Sequence, residues 1–545
     1  MEDKPRILIV DDEVLNTRIL EYTLSKNNFT GESVTSGQKA LEILKEKSFD
    51  LVLLDVIMPG LDGYETCMRI RKEHPDLAVI LVTSNTDDES LNRGFEAGAH
   101  DYIKKPWTPM ELLARVNNIL RSKAVEKERR EIYLALVEDL QTASRIQELM
   151  LPKWIYVEDD VIFSSHYASS QLVGGDLFEK FKIAKNQYIV YIGDISGHGV
   201  QAALLMTGVK SVIKVIVENE KRDLHLPTLI TRLNETLSKE LFLNNYMTMI
   251  FGVLDLEDKT YRFINAGHPP LVEYDISTRK THIHNEIGSL PLGWKANFVY
   301  TDGDEDIVHL RPDNLVFLYT DGLNECTNPK GVEFGLHGLE EIMEKHLQID
   351  NCITLPYRIK HYLVENNYRV SVDDFTLFAF QIQVPSYKLG THPSEQTMCS
   401  QKMIFLVRSA LKHVPDAAVK CEEMVLSWTG DKALAARVEL IMDEFLNNII
   451  KHGYHYRYDA EIVVEFSLVG KHLIVRFWDK GIEWVPETVD IHVDHFDNVS
   501  LDSFPTAGLG FNMIKLMVDT FTRKRYEGVN ETILEIYTPE GEEHV

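Results

Sequence analysis

Acidic residues directly follow short apolar runs at several points in the chain, where their carboxylates are placed to bind metal ions. The clearest case is YIGDISGHG at 191–199, in which Asp194 ends an apolar run and a glycine-rich turn follows. Gly197 and Gly199 let the backbone approach an ion, because they carry no side chain and tolerate positive φ. One such turn is weak evidence. Further acids at the ends of apolar runs in the same region are Asp176, Asp321, Asp373 and Asp374.

Carboxylates without a nearby His or Cys cluster suit hard ions such as Mg²⁺ or Mn²⁺. Two ions held in this way can lower the pKa of a shared water and direct it at a phosphorus atom. Asp residues beside Gly also form turns, and this alternative explains each acid separately. It explains the whole set poorly, so we predict a two-metal hydrolytic site.

A second set of polar residues follows the apolar runs near the N-terminus, such as RILIV at 6–10 and LVLL at 51–54. Helical patterns separate these runs, which predicts a doubly wound parallel sheet with helices on both faces. The C-terminal ends of parallel strands converge on one crevice. That crevice would collect Asp11, Asp12, Asp55, Thr83 and Lys105.

This second set has the composition of a small Mg²⁺ site with a nucleophilic carboxylate beside a phosphate-binding cation. Solvated loop acids are the alternative, and for any one residue that explanation is the more common. It is a poor explanation for five residues at matched strand ends.

A third set lies near the C-terminus. The amphipathic helix predicted over 434–452 places Glu444 and Asn448 four residues apart on one face. Asp479 ends a predicted strand, where it can accept a hydrogen bond from an adenine amino group. A glycine-rich turn before a helix can wrap phosphates. The glycines of this set are Gly481, Gly508 and Gly510.

One uninterrupted helix is predicted over residues 109–150, since no Gly or Pro occurs in it after Pro109. Its apolar residues recur every three or four positions from Ile132 to Met150, a spacing that suits a coiled-coil seam. We favour a homodimer through 109–150. An amphipathic connector packed on its own chain is the alternative.

The composition limits the partners. The net charge of −27 disfavours nucleic acid and anionic membranes, so we expect no DNA binding and no membrane insertion. The five cysteines are scattered, which indicates neither a disulfide framework nor a zinc site. The N-terminus carries no signal-peptide pattern, and we expect no apolar run to span a bilayer. We therefore expect a cytoplasmic protein.

Residues 4–122 resemble the receiver domain of two-component response regulators, through DDE at 11–13, LLDVIMPGLDG at 53–63 and YIKKP at 102–106. The resemblance implies that Asp55 accepts a phosphoryl group from a sensor histidine kinase. It also implies that Asp11 and Asp12 hold Mg²⁺ together with Asp55, while Thr83 and Lys105 contact the phosphoryl oxygens. Tyr102 would be the switch aromatic.

Residues 151–385 resemble the metal-dependent serine/threonine phosphatases of the sporulation-stage-II-E branch, with a β-sandwich flanked by helices. The motifs are LVGGDLFE, IGDISGHGVQAAL, NAGHPPL, YTDGLNE and DDFTLFAF. The resemblance implies that Asp194 bridges two Mn²⁺ or Mg²⁺ ions, with the Ile195 carbonyl nearby. Asp176, Asp321 and Asp373 would complete the metal shell, and Asp374 would be a further member.

Residues 401–545 resemble the histidine-kinase-like ATPases, an α/β sandwich, and within them the serine kinases that act as anti-sigma factors. The motifs are DEFLNNIIKHGY, FWDKG and TAGLGFNMIK. By this resemblance Glu444 is the general base, Asn448 holds Mg²⁺ with ATP, Asp479 reads adenine, and Gly481, Gly508 and Gly510 line the nucleotide site. A non-catalytic nucleotide-binding or sequestering module is the alternative.

The expected class is therefore multidomain α/β and α+β, with a helical linker at 123–150 and a second linker at 386–400. The resemblances imply that phosphorylation of Asp55 controls a phosphatase that acts on an anti-sigma-factor antagonist, a protein of the sulfate-transporter-and-antagonist (STAS) domain type. The C-terminal kinase would oppose the phosphatase. We expect a sigma factor as a further partner.

Overall fold

The computed structural model describes residues 4–84, 88–158, 160–220, 224–240, 245–370, 373–383, 401–484 and 509–537. The chain falls into two compact units, Met1–Asp139 and Leu140–Val545. The first unit contains a parallel sheet and the second contains antiparallel sheets, so the multidomain class predicted from the sequence is confirmed. The linker predicted at 386–400 lies outside the described residues.

The first unit is built on a parallel sheet with helices on both faces. Its strands are β1 (Arg6–Val10), β2 (Thr30–Val34), β3 (Leu51–Asp55), β4 (Ala78–Thr83) and β5 (Asp101–Lys104). Its helices are α1 (Val14–Ser25), α2 (Gly37–Glu46), α3 (Gly63–Glu73), α4 (Asp88–Glu96) and the start of α5 (Pro109–Met150). The strand order is β2-β1-β3-β4-β5. Alternate residues of β1 pack in two separate apolar clusters, one on each face, which explains the continuous apolar runs.

Helix α5 is a single helix of 42 residues, which confirms the helix predicted over 109–150. Several apolar side chains on it are largely exposed in the single chain, among them Ile132, Leu136, Ile146 and Leu149. Apolar residues at this spacing fit an unpaired coiled-coil seam. The homodimer remains a prediction.

The second unit begins with a sandwich of two antiparallel sheets. Its strands are β6 (Ile155–Glu158), β7 (Val161–Ala168), β8 (Leu177–Ala184), β9 (Gln187–Ile195), β10 (Met247–Asp255), β11 (Thr260–Ala266), β12 (Leu271–Asp275), β13 (Lys280–His284), β14 (Glu305–His309), β15 (Asn314–Tyr319) and β16 (Phe375–Ile382). Its helices are α6 (Val200–Glu220), α7 (Leu226–Glu240), α8 (Asp321–Asn324), α9 (Gly335–Glu341) and α10 (Leu355–Glu365). The orders are β14-β11-β10-β9-β8 and β13-β12-β15-β16-β7-β6.

Three apolar layers hold this sandwich together. Phe163, Phe178 and Ile250 belong to the cluster between the two sheets. Helices α6 and α7 cover the β8–β11 sheet, and α10 covers the other sheet. The arrangement is the predicted β-sandwich flanked by helices.

The pattern of YRFINAGHPPLVEY at 261–274 predicts one strand paired with 248–256, but the structure divides this stretch between β11 and β12. Strand β11 pairs with β10, whereas β12 pairs with β13 and β15 in the opposite sheet. Gly267 lies between β11 and β12 with φ of 71°, and two prolines follow His268. The left-handed glycine and the prolines break the ladder, so the chain crosses between sheets there.

Helix α6 is the one described helix that is long and apolar enough to cross a membrane by length and composition. Met206, Val209 and Ile213 on this helix pack in the core beneath the β8–β11 sheet. A core helix passes the same test of length and composition, so α6 is weak evidence for a membrane span.

A third antiparallel sheet completes the second unit. Its strands are β17 (Gln401–Arg408), β18 (Glu461–Val469), β19 (His472–Asp479), β20 (Thr520–Tyr526) and β21 (Val529–Tyr537), and its helices are α11 (Val414–Thr429), α12 (Lys432–Asn448) and α13 (Leu509–Met517). The strand order is β17-β18-β19-β21-β20. The helices cover one face, as expected for the α/β sandwich.

Two helix predictions in this sheet domain need correction at their C-terminal ends. Helix α12 ends at Asn448, and a π-helical turn, Ile449–Gly453, replaces its predicted last turn. The run FNMIKLMVDTF at 511–521 has the pattern of a helix, but α13 ends at Met517 and β20 begins at Thr520. Pairing with β21 and the β-branched Thr520 and Thr522 favour a strand there.

The other face of the third sheet packs against α10 of the sandwich. Val463, Trp478 and Val529 join the apolar cluster of α10. Arg358 on α10 forms an ion pair of 3.0 Å with Glu531, which also accepts a hydrogen bond from Trp478 Nε1. The Lys480 ammonium lies 4.7 Å from the Tyr357 ring centroid. Two of the three predicted domains therefore share one buried interface.

Candidate functional sites

The first site gathers the acids predicted at the strand ends of the parallel sheet. Asp11 follows β1, Asp55 ends β3, and one oxygen from each of Asp11, Asp12 and Asp55 lies within 4.8 Å of the others. No other such trio of His, Cys or acidic residues occurs in the described part of the chain. Oxygen ligands at this spacing suit Mg²⁺.

The cation of this site is Lys105, whose Nζ lies 2.8 Å from Asp11 Oδ2 and 2.9 Å from Asp55 Oδ1. Burial raises the pKa of Asp55, and the hydrogen bond from Lys105 opposes that rise. Burial alone would lower the pKa of Lys105, but its hydrogen bonds to Asp11 and Asp55 raise it. Thr83 is buried at the end of β4. All five predicted residues therefore lie at the same edge of the sheet.

The second site lies where strand ends of the two sandwich sheets meet. Asp194 is near the end of β9, and Asp176 immediately precedes β8. Asp321 follows β15, and Asp373 and Asp374 precede β16, which pairs with β15. A Cβ on Gly322 would lie 2.0 Å from the Asp374 carbonyl oxygen, so the Asp321–Gly322 turn packs directly on Asp374. The predicted acids converge on one edge of the sandwich.

Asp176 is almost completely buried there. Its Oδ2 accepts hydrogen bonds of 2.8 Å from Thr320 Oγ1 and 2.5 Å from Thr376 Oγ1. Its Oδ1 is buried and has no hydrogen-bond partner. A buried carboxylate oxygen without a partner costs free energy, and a bound cation would remove that cost. This orphaned atom indicates that the acids fit a metal.

Asp374 has a different environment. Its Oδ1 accepts a 2.8 Å hydrogen bond from the Ser170 backbone N–H, and its Oδ2 accepts one of 2.6 Å from Gly175. A Cβ on Gly174 would lie only 2.2 Å from Asp374 Oδ2, so this position requires glycine. Asp374 thus fixes the loop that carries Asp176. Asp373 is exposed and has more freedom to reach an ion.

The charges of this site repel one another. Burial, together with Asp321 and Asp373, raises the pKa of Asp194 to about 8. Burial and Asp373 raise the pKa of Asp321 to about 6. Burial and the neighbouring Asp194 also raise the pKa of Asp176 well above its usual range. Binding of protons or of cations reduces the repulsion within such a set of carboxylates.

The last turns of α5 contact the loop that carries Asp176. Gln147 is buried, and its Nε2 donates a 2.7 Å hydrogen bond to the Gly174 carbonyl. The Gly174 N–H donates a 3.1 Å hydrogen bond back to Gln147 Oε1. Lys210 on α6 binds both the Met150 carbonyl, at 2.6 Å, and Glu179, at 3.0 Å. The end of α5 is therefore attached two residues before Asp176.

Two histidines of the sandwich motifs lie outside the acid cluster. His198 is exposed, and its Nδ1 lies 3.2 Å from Gln171 Nε2. His268 is buried, its Nδ1 lies 2.9 Å from Thr248 Oγ1, and burial lowers its pKa to about 3. A neutral His268 that also bonds to Asn265 through its backbone suits a structural role.

The third site lies on the helix-covered face of the third sheet. Asn448 Nδ2 lies 3.2 Å from Glu444 Oε1, so the two residues share one face of α12 as predicted. Asp479 is fully buried, and its Oδ1 accepts hydrogen bonds of 2.8 Å from the Gly481 N–H and from Asn530 Nδ2. Its Oδ2 has no partner, which leaves an acceptor for a ligand donor.

Several neighbours of these sites were not found from the sequence. In the third site, Thr532 has a buried hydroxyl without a partner and lies in β21, two residues beyond Asn530. Strand alternation places Thr532 and Asn530 on one face, and this is the only signal the sequence offers. Gly510 lies in the first turn of α13. Gly508 lies outside the described residues.

Three family models match the chain. Residues 7–117 match the response regulator receiver domain, residues 184–383 match Stage II sporulation protein E (SpoIIE), and residues 407–536 match the histidine kinase-like ATPase domain. The SpoIIE match begins after Asp176. The place of Asp176 in the acid cluster therefore depends on the geometry described above.

Among curated proteins, the chain is 44% identical over 118 residues to the probable transcriptional regulator ycf27 of Porphyridium aerugineum. This alignment covers 22% of the chain and 49% of the relative, so the chain spans about half the length of the curated relatives it matches.

Two solved structures are similar to larger parts of the chain. The RsbU and RsbW domains of Rv1364c from Mycobacterium tuberculosis are 18% identical, cover 69% of this chain and 92% of their own, and give a TM-score of 0.36. The phosphatase domain of SpoIIE from Bacillus subtilis is 20% identical, covers 42% and 64%, and also gives 0.36. By its three family matches, the chain combines a response regulator receiver domain, a SpoIIE-type phosphatase domain and a histidine kinase-like ATPase domain, in this order.

Proposed function

We propose that the chain is a metal-dependent protein phosphatase for phosphoserine or phosphothreonine, controlled by phosphorylation of Asp55. The observation that carries this proposal is the convergence of Asp176, Asp194, Asp321 and Asp373 on one edge of the sandwich. The buried, unpartnered Oδ1 of Asp176 adds to it. The receiver match supports the control by phosphorylation.

In the phosphatase site, the four acids and the Ile195 carbonyl would hold two Mn²⁺ or Mg²⁺ ions, with Asp194 between them. Such ions, when bound, activate water and offset the negative charge of the phosphoryl group. Thr320 and Thr376 orient Asp176 through its Oδ2 and leave Oδ1 free for the ion. Asp374 holds the 170–175 backbone in place, and this backbone positions the Asp176 carboxylate among the other acids.

In the receiver site, Asp55 attacks the phosphorus of a phosphohistidine on a sensor histidine kinase. A new bond forms between the carboxylate oxygen and phosphorus, and the bond between phosphorus and the histidine nitrogen breaks. Lys105 and Thr83 then contact the phosphoryl oxygens. Asp11 and Asp12 would hold Mg²⁺ together with Asp55, which agrees with the spacing of their oxygens.

Helix α5 is the proposed link between the two activities, through Gln147 at its C-terminal end. Its paired hydrogen bonds to Gly174 lie beside the loop that positions Asp176. A rotation or shift of α5, within a homodimer formed through 109–150, would displace that loop and change the phosphatase rate.

The C-terminal domain is proposed to bind ATP with Mg²⁺ and to phosphorylate serine on the same protein that the phosphatase serves. Asp479 would accept from adenine, Asn448 would hold Mg²⁺, and Glu444 would take the proton of the serine hydroxyl. Gly481, Gly508 and Gly510 would line the nucleotide site. The alternative is a non-catalytic module that binds nucleotide or sequesters a partner.

The partner of both domains is proposed to be an anti-sigma-factor antagonist of the STAS type, with a sigma factor as a further partner. Two activities of opposite direction on one serine would make the chain a partner-switching regulator. The acidic charge of −27 supports a protein partner over DNA and over membrane insertion. A cytoplasmic location is part of the same proposal.

Asp194→Asn tests the phosphatase. The substitution removes the proposed ligand of both ions. Loss of a residue that only hydrogen-bonds to a metal ligand lowers metal affinity or activity by roughly 10–100-fold. We therefore expect Mn²⁺-dependent hydrolysis of p-nitrophenyl phosphate to fall by at least about 100-fold. Asp302→Asn, at an exposed acid that pairs with His225 and is not among the proposed ligands, is the matched control and should keep the wild-type rate. An undiminished rate in Asp194→Asn would refute the two-metal site.

The acid cluster also predicts how the stability of the metal-free protein depends on pH. Asp194 and Asp321 have higher pKa values in the folded than in the unfolded state, so the folded state binds more protons and loses stability as the pH rises. From pH 6 to pH 8 the Asp194 titration should cost about 2 kcal/mol, which lowers Tm by several degrees.

Thermal unfolding in EDTA measures this effect, and Mn²⁺ should abolish it. Asp194→Asn should reduce the loss of Tm between pH 6 and pH 8, since it removes the main group that titrates in this range. A metal-free Tm that is constant or rises between pH 6 and pH 8 would contradict the electrostatic account of the site.

Gln147→Ala tests the link through α5. In the wild type, the beryllofluoride mimic of phospho-Asp55 should change the rate of hydrolysis. The variant lacks both hydrogen bonds to Gly174, so the ratio of rates with and without the mimic should approach one. Gln141→Ala, at an exposed position of the same helix, should keep the wild-type ratio. An unaltered ratio in Gln147→Ala would show that Gln147 does not transmit the signal.

Glu444→Ala distinguishes a kinase from a binding module. In a kinase, the variant should still bind ATP in calorimetry but lose ATP turnover, measured in the Asp194→Asn background. Asp443→Ala, at the preceding residue, which pairs with Asn447, is the control and should keep turnover. If the chain with its native Glu444 binds ATP but does not turn it over, the non-catalytic module is favoured.

A further inference from the structure

Two aromatic side chains lie beside the turn that follows Asp194. The Tyr246 and Trp294 rings meet edge to face with their centroids 4.9 Å apart. Trp294 is 61% exposed although it is one of the largest apolar side chains. We call Tyr246 and Trp294 the aromatic pair.

The aromatic pair is fixed to the phosphatase site through backbone hydrogen bonds. The Tyr246 N–H donates to Ser196 Oγ at 2.9 Å, and the Ser196 N–H donates to the Tyr246 carbonyl at 2.9 Å. One residue further along, Met247 and Leu292 exchange hydrogen bonds of 2.8 and 2.9 Å, which anchors the segment that carries Trp294. Ser196 is two residues from Asp194, so the aromatic pair keeps a constant position beside the acids.

A second exposed apolar side chain is close in the chain to a residue that contacts the turn. Gln171 contacts His198 at 3.2 Å, and the next residue, Leu172, is 38% exposed. The turn from Ser196 to Gly199 therefore contacts both Tyr246 of the aromatic pair and the segment that carries Leu172.

Stability gives little reason for Trp294 to be aromatic. More than half of its side chain is in water, and in the described residues Tyr246 is the one ring it contacts. An exposed tryptophan gains little from burial on folding, whereas it can gain much when a partner covers it. Tryptophan and tyrosine are the residues that most often dominate binding at protein interfaces.

The charge of the chain favours an apolar rather than an ionic means of recognition. The site is lined by carboxylates and the chain carries a net charge of −27. A phosphorylated protein therefore gains little long-range attraction outside the metal site. Contacts with apolar side chains next to the phosphoserine supply affinity that does not depend on charge.

We propose that the aromatic pair is a docking platform that selects protein substrates with an aliphatic side chain beside the phosphoserine. Trp294 is its main specificity-determining residue. The inference rests on the phosphatase function proposed above. It adds the substrate feature that the site recognises beyond the phosphoryl group.

The test compares small and extended substrates on the full chain with Mn²⁺. The probes are p-nitrophenyl phosphate and two phosphoserine peptides, which carry either Leu or Ser on both sides of the phosphoserine. The wild type should prefer the Leu peptide. Trp294→Ala should raise KM for the Leu peptide by about tenfold or more, as expected for loss of an aromatic anchor. It should leave kcat/KM for p-nitrophenyl phosphate unchanged.

Two further variants separate recognition from folding. Trp294→Phe keeps an aromatic ring and should retain most of the preference for Leu. Tyr458→Ala removes an exposed aromatic residue of the C-terminal domain and should behave as the wild type for all three probes.

The proposal is overturned if Trp294→Ala lowers kcat/KM equally for all probes, if it has no effect on the Leu peptide, or if the wild type hydrolyses p-nitrophenyl phosphate without preferring the Leu peptide. A wild type that hydrolyses none of the three probes would instead refute the phosphatase function on which the proposal rests.

Discussion

Several buried carboxylates repel one another at one edge of the sandwich, and the surrounding structure of the second unit has to hold them there. Asp176, Asp194 and Asp321 are each forced to a raised pKa by burial and by neighbouring acids. A fold that served only stability would avoid this arrangement, because each buried charge without a cation costs free energy. Threonine hydroxyls and loop amides hold the acids in place by hydrogen bonds. Acids that are kept close together in this way are typical of a functional site.

The surrounding structure delivers these acids together and connects them to the rest of the chain. Strands β8, β9, β15 and β16 come from both sheets, so the site exists only when the two sheets are packed on each other. Gln147 attaches α5 to the loop before Asp176. Elsewhere in the second unit, Arg358 and Glu531 join α10 to the third sheet. One residue before Glu531, Asn530 holds the proposed adenine acceptor Asp479.

The sequence predicted the elements whose signal is local. An apolar run followed by Asp identified β3, β9 and β15 together with their acids, because strand and ligand are adjacent in the chain. Helix α5 was predicted with its observed ends, since Pro109 opens it and Pro152 follows it. Gly267 and the two prolines after His268 mark the break between β11 and β12 locally, but only the packing shows that the two strands belong to different sheets.

The supporting residues could not be predicted because their partners are distant in the chain. Thr320 and Thr376 reach Asp176 across 144 and 200 residues, and no local pattern marks either threonine. Gln147 is one of several polar residues on a long helix, and only its burial distinguishes it from Gln141. The role of Trp294 could not be predicted either, because its exposure and its contact with Tyr246 follow from the fold alone.

Anomalous diffraction at the manganese absorption edge, from crystals of the protein grown with Mn²⁺, shows whether the acids of the sandwich bind two metal ions. Two peaks are expected among Asp176, Asp194, Asp321 and Asp373, with Asp194 in contact with both. A map with no peak at these residues, in crystals where manganese occupies the receiver site, would contradict the two-metal account.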